Sequence, residues 1–363
     1  MNSEIFDVAI IGGGIIGLMT ARELDLQGLN VVVIEKNERA AMEASRAGGG
    51  IISPLHPWRY SQAMLDLASW SHERYPRIAH EISIKTNSYI PIIETGMLVP
   101  NVDEAELALK CVFLTSKILT AEQTFEHEPA LADPSESVWV EGVHNIRNPA
   151  LCRAMECYIQ QSSITLKASV TLTSVQKKAD TFELISKDNC IKSSKVVVCS
   201  GAWSSELLSI FPQIDMTKMP DIFPVKGQMI AYRAKRGVLR SVILEQNRYL
   251  IPRHDGIIIV GSSVEHKAFD KSLTSDVFED LRQFAETKIP ALKYYPVISH
   301  WAGLRPGSHR DRPIIDMVND INDLYLNIGH FRNGLLSAPA SAQVITDIIL
   351  GNASEFDLKG YAL

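Results

Sequence analysis

The segment "FDVAIIGGGIIGLMTARELDLQGLNVVVIE", residues 6–35, constrains the chain more than any other. A β-branched run leads into glycines, then a helix-forming stretch, then a second apolar run that ends at Glu35. Strand, glycine turn, helix and strand make a βαβ unit, whose two strands are parallel and need cover on both faces. Gly12, Gly14 and Gly17 hold GxGxxG spacing. The first glycine permits the tight turn, the second lets a pyrophosphate approach the backbone, and the third lets helix and strand pack closely. Free N–H groups at the helix N-terminus then face the phosphates. Glu35 can accept hydrogen bonds from ribose hydroxyls and disfavours a 2′-phosphate. The unit is a dinucleotide fingerprint.

Two later passages echo it. "KVVVCSGAWSSELL" reads as strand, glycine turn and helix start, and "LYLNIGHFRNGLL" as strand and turn before a helix that begins near Ala338. Between them, "QMIAYRA", "NRYLIP" and "GIIIVGSS" alternate in the manner of antiparallel strands with one dry face. "QAMLDLASWSHERYPRIAHEI" and "EAELALKCVFLTSKIL" read as helices, and "YIPIIETGMLVP" as strands. The interleaving predicts an α/β protein of two discontinuous domains with a cleft between them. A Rossmann-like domain takes residues 1–83, 147–220 and 303–363, and an antiparallel-sheet (α+β) domain takes 84–146 and 221–302.

The net charge of −6 favours neither nucleic acid nor an anionic membrane. Five scattered cysteines without a CxxC pair argue against a disulfide framework and a zinc site, and fit a reducing cytoplasm. "VAIIGGGIIGLM" follows Glu4 and Asp7 and is broken by glycines, so it does not read as a signal peptide. No apolar run approaches the roughly 20 residues of a membrane span. His254, His300, His309 and His330 lack metal-ligand spacing, and no GxSxG is present.

"WAGLRPG" and "GHFRNGLL" set Arg305 and Arg332 into apolar, glycine-rich sequence. A buried guanidinium is costly unless something anionic sits against it. From the residues alone, Arg305 awaits an anionic ligand or pairs with an internal acid such as Asp311 or Asp316. Arg332 touches the same ligand or braces its loop. Tyr249 offers its hydroxyl to that ligand or is a half-buried sheet aromatic. Lys226 pairs with an acid or orients the domain junction, and Trp58 and Tyr60 line a cofactor or pack. The fingerprint admits FAD and NAD alike, but the later turns "SGAW" and "GHFRNG" favour the longer flavin cofactor.

The stretches "AIIGGGIIG", "SRAGGGIISPLHPWRYS", "VVVCSGAWS", "PVKGQ", "YLIPR", "WAGLRPG" and "GHFRNGLLSAPA" resemble, in order, the D-amino acid oxidase superfamily. Within it the likeness is to the bacterial glycine oxidases of thiamine biosynthesis. The resemblance implies FAD bound noncovalently, since no cysteine follows Cys199. It implies cofactor contacts at Gly12, Gly14, Ile15, Ile16, Gly17, Glu35, Lys36, Ser45, Arg46, Gly48, Gly49, Gly50, Val170 and Gly201. The turn of His330, Phe331, Arg332, Asn333, Gly334, Leu335 and Leu336 joins them. Arg305, Arg332 and Tyr249 would bind and orient the substrate carboxylate. The implied reaction converts glycine, sarcosine or a small D-amino acid to the imine and then the 2-oxo acid. Ammonia and hydrogen peroxide are released, and iminoglycine is supplied to the thiamine thiazole. Molecular oxygen is the implied partner, with no nucleic acid or membrane and with homo-oligomerisation open. Relatives often carry a bulkier pocket residue where this chain has Val264. A dehydrogenase that delivers electrons to a quinone and a silent flavin-binding module are the competing readings.

Overall fold

Ile5–Ile11 pairs in parallel with Val31–Ile34 on one side and with Cys190–Val198 on the other, as the fingerprint requires. All four residues of Val31–Ile34 are buried, which accounts for their unbroken apolar run. The computed structural model describes residues 5–100 and 102–363, and its described residues form three sheets. In the first sheet Thr165–Lys167 and Leu324–Ile328 extend the parallel set. Cys190–Val198 forks there: its first half pairs antiparallel with Thr181–Ser186 and its last three residues pair in parallel with Leu324–Ile328. Burial follows the fork, since Val196, Val197 and Val198 are all buried whereas the residues before them are mixed.

The helix Ile15–Leu26 packs on this sheet against the helix Gly334–Leu350, which Gln62–Thr86 covers in turn. The C-terminal helix begins four residues earlier than the sequence suggests, and Pro339 lies inside it. Proline cannot donate to the carbonyl four residues back. The Tyr75 hydroxyl makes that bond instead, donating to Leu335 O at 3.0 Å, while Ser71 Oγ accepts from Ala340 N at 3.1 Å. Two side chains of the covering helix thus repair the helix that proline interrupts.

The second sheet has eight strands and is antiparallel except where Val242–Glu245 meets Met97–Val99. Its long pair is Ile222–Arg233 with Val297–Ser308, so residue 303 falls inside a strand of this sheet. The helix Ser275–Lys288 covers one face. The other face carries Met229, Tyr249 and Ile251. A small third sheet of Ile51–Ile52, His144–Ile146 and Ile92–Glu94 completes the set.

The helix read over "EAELALKCVFLTSKIL" is confined to Ala105–Lys110. Ser116–Leu119 pairs instead with Ser137–Val140, because an available sheet edge outweighs a helical pattern whose Val112 is 85% exposed. Among the described residues all five cysteines are free, no cluster is suited to a metal ion, and no helix is long and apolar enough to cross a membrane.

Candidate active site

A cleft of about 1190 Å³, the open solvent at its mouth included, runs from the start of the helix Ile15–Leu26 to the inner face of the second sheet. Close approach dictates two glycines of the turn behind it. Gly12 has φ of +114°, and a Cβ there would lie 2.4 Å from Cys199 O; a Cβ on Gly17 would lie 2.0 Å from Gly12 O. Gly14 would meet only Ser45 Oγ, at 3.4 Å, so this backbone is open to a ligand. Ser45 Oγ itself accepts from Ile15 N at 2.9 Å. Glu35 accepts from Gly13 N, Asn37 N and Asn37 Nδ2, each at 2.8 Å, and so fastens the turn. A carboxylate offers about four acceptor positions, which leaves one for a ligand hydroxyl.

Of the residues singled out by resemblance, Gly14, Ile15, Ile16, Ser45, Gly48, Gly49, Gly50, Gly201, Tyr249, Arg305 and the turn from His330 to Leu335 line the cleft. Gly12 and Gly17 shape the turn behind it, and Leu336 is buried beneath. Lys36 and Val170 sit beyond the cleft at the Glu35 end. Val170 N donates to Glu35 O at 2.9 Å, and Lys36 Nζ rests 3.1 Å from the centre of the Trp203 ring. Arg46 lines a second cavity with Arg147 and Arg253, which adjoins the cleft across Ala47 and Gly48. Ser45 and Arg46 are successive residues of the short helix Ala44–Ala47, and neighbours on a helix face different ways.

Arg305 enters on Val297–Ser308 opposite Val225. Its Nη2 donates to Ser262 Oγ at 2.7 Å, and its Nη1 to the carbonyls of Lys226 and Ser263 at 3.3 Å. No acid pairs with it among the described residues; Asp311 pairs with Arg312, and Asp316 accepts from Met317 N and Leu363 N. Burial lowers the Arg305 pKa, with the like charge of Arg332 acting in the same direction, while the neighbouring Tyr249 hydroxyl opposes this. Tyr249 also contacts Met229 Sδ at 3.8 Å. Gly227 makes the arrangement feasible, since a Cβ there would come within 2.4 Å of three guanidinium atoms of Arg305.

Among the described residues the Arg332 side chain donates to Asn247 Oδ1, at 3.5 Å, and its buried Nε has no acceptor. Two guanidiniums thus line one cleft, and among the described residues neither forms an ion pair with a carboxylate. His330 lies between Asn327 Oδ1 at 2.8 Å and Ser337 Oγ at 3.0 Å, and burial takes its pKa down to about 3. It is a neutral brace for the turn.

Sequence reasoning missed Ser262, Gly227, Asn327 and Asn148. Gly227 lay in plain sight in "PVKGQ", yet its need appears only when its strand pairs with that of Arg305. Asn148 donates to Ser45 O at 3.1 Å and keeps a buried Oδ1 without a partner, which nothing local in the sequence signals. Lys226, only 1% exposed, pairs with Asp270 and Glu265. Trp58 donates to Glu104, Tyr60 packs on the core, and Val264 is exposed away from the cleft.

A glycine cradle at a helix start, opening into a cleft with unneutralised guanidiniums, defines a dinucleotide-binding protein with a second site for an anion. The model of the FAD dependent oxidoreductase (DAO) family matches residues 7–348. The chain is 38% identical to a glycine oxidase of Pseudomonas aeruginosa over 361 residues, covering 98% of each. It is 30% identical to the bifunctional protein ThiO/ThiG of Synechocystis, of which it covers 51%. The fold matches the crystal structure of a glycine oxidase from Geobacillus kaustophilus with a TM-score of 0.92, at 23% identity and 99% coverage of both chains. The chain belongs to the FAD-dependent oxidoreductase family, and FAD is its cofactor. The open Gly14 backbone, the unpartnered Asn148 Oδ1 and the length of the cleft all suit that group.

Proposed function

We propose that this protein oxidises glycine, and other small amino acids such as sarcosine and small D-amino acids, with oxygen as the electron acceptor. Glycine, oxygen and water would yield glyoxylate, ammonia and hydrogen peroxide by way of the imine. The observation that carries the reading is Arg305, a guanidinium in the cofactor cleft with no acid of its own. Its planar fork matches a carboxylate in a way lysine does not. Arg332 supplies a second positive charge, and the Tyr249 hydroxyl is at hand for the other carboxylate oxygen. Bound FAD supplies the two-electron chemistry. The chain's part is to fix one end of a small zwitterion, which removes most of its remaining freedom.

Among the described residues no Asp or Glu lines the cleft, and both nitrogens of His330 are engaged. The amine proton therefore leaves to solvent rather than to a side-chain base. Met229 and Tyr249 wall the substrate end and favour a small side chain. The glycine oxidase of Pseudomonas aeruginosa supports the substrate, and the ThiO/ThiG protein supports a role in supplying iminoglycine to the thiamine thiazole. A cytoplasmic location belongs to the same reading, supported by five free cysteines. So does the division into an FAD-binding part around the first sheet and a substrate-binding part around the second.

The test is to mix the holoenzyme with glycine in air and assay peroxide, in the native protein and in Arg305→Ala. The native protein should form peroxide. The variant should keep its flavin spectrum and lose about 2–5 kcal/mol in kcat/KM. Flavin bleaching without peroxide would point to a dehydrogenase, and unchanged kinetics in Arg305→Ala would remove the carboxylate role.

A further inference from the structure

Behind the loop Ala44–Gly50 lies a second cavity, open to solvent, of about 1150 Å³. Arg46, Arg147, Arg233 and Arg253 line it, and among the described residues no carboxylate does. Asp255, just outside, pairs with Arg147. Arg46 and Arg233 form no ion pair among the described residues. Arg253 is 7% exposed; it donates to Asn145 Oδ1, Ile146 O and Gly49 O, and its buried Nε has no acceptor. Four guanidiniums against one nearby carboxylate leave a local excess of three positive charges.

Such an excess repels itself and is costly wherever water is partly excluded. Burial and the neighbouring Arg147 lower the pKa of Arg253 to about 9, and the charge of Asp255 opposes them only in part. Much of the remaining lining is apolar, with Ile257, Ile259, Ile298 and Trp301 prominent. Trp301 cannot turn its nitrogen to a ligand, because Nε1 donates to Ala47 O at 2.9 Å. What it offers is ring surface.

We propose that this cavity is a binding site for a phosphomonoester carried on a flat, aromatic or heterocyclic body. A dianion matches the charge excess better than a single carboxylate, and guanidinium forks suit phosphate oxygens. The body would lie along Trp301 and Ile298. The site is distinct from the substrate cleft but adjoins it, since Ala47 and Gly48 line both. Trp301 and Arg253 bond the carbonyls of Ala47 and Gly49, so an occupant grips the far side of the loop that faces FAD. The proposal stands whether or not glycine is the substrate.

The test is calorimetric titration of the holoenzyme with phenyl phosphate, with inorganic phosphate and phenol as comparisons. One site is expected, tightest for phenyl phosphate, silent for phenol and weakened by salt. Arg233→Ala and Arg46→Ala should each weaken it about tenfold or more, whereas Arg305→Ala should leave it unchanged. Flavin absorbance should shift on binding in step with the heat. Absence of binding, equal affinity in the Arg233 and Arg46 variants, or loss only in Arg305→Ala would overturn the assignment, the last by returning the anion to the substrate cleft. Inorganic phosphate binding as tightly as phenyl phosphate would overturn the aromatic part.

Discussion

Arg305 depends on a residue that contributes no side chain. Its guanidinium lies against Gly227, where an added Cβ would meet Nη2 at 2.1 Å and Cζ and Nη1 at 2.4 Å. Gly227→Ala should therefore displace the fork while leaving the strand pairing and the flavin in place. The expected outcome is a KM for glycine raised about tenfold or more, with an unaltered flavin spectrum; unchanged steady-state kinetics would mean that the fork is not where the substrate binds. His330 yields a pH prediction. Its folded pKa of about 3 lies below the ordinary value near 6.5. Between those values the unfolded chain binds a proton that the folded chain refuses. The stability this represents is complete above pH 6.5 and falls as the pH drops toward 3. Melting curves between pH 6.5 and 4 should thus fall more steeply for the native protein than for His330→Gln, and parallel curves would contradict a neutral buried brace.

Among the elements, the C-terminal helix was the most misleading in sequence. The sequence suggests a start near Ala338, yet the helix begins at Gly334, because Tyr75 and Ser71 serve the backbone groups that Pro339 disturbs. Tyr75→Phe keeps the shape and removes one donor, leaving the Leu335 carbonyl without it. The expected loss is about 1–3 kcal/mol of stability, read by urea denaturation of the holoenzyme. No change would mean that the carbonyl finds another donor. The reverse error occurred at residues 104–119, where a helical pattern concealed the edge strand Ser116–Leu119. Apolar spacing reports a face to be buried, but it does not say whether a sheet edge waits nearby to take the segment.

In the whole molecule the chain passes repeatedly between two large sheets, and the cleft has walls from both. A cofactor held there binds the folded chain and not the unfolded one, so it stabilises both halves together. Removing FAD should lower the melting temperature, and adding it back should restore the value in a concentration-dependent way. An excess of 100-fold over Kd corresponds to about 2.7 kcal/mol. Ellipticity and tryptophan fluorescence should follow one transition in the holoenzyme. Two separated transitions, or a melting temperature indifferent to FAD, would show the sheets to be energetically independent.

The dinucleotide turn was legible without the structure because its parts are consecutive: Gly12, Gly14, Gly17 and Glu35 belong to one βαβ unit whose local geometry determines their roles. The mixed parallel and antiparallel textures were legible too, since burial on one or two faces is written into hydrophobic alternation. The far end of the cleft was legible only in part: Arg305, Tyr249 and Arg332 could be named singly or through the resemblance, but not Gly227 or Ser262. Arg305, Gly227, Ser262, Tyr249 and Arg332 lie on separate strands and turns, and only their pairing and packing bring them to one cleft. Arg46, which the resemblance counts among the cofactor contacts, lines a second cavity that shares Ala47 and Gly48 with the cleft, a placement set by the turn of a short helix. Local sequence determines local backbone, whereas which charges meet, and which remain without a counter-charge, is decided by contacts between residues far apart in the chain.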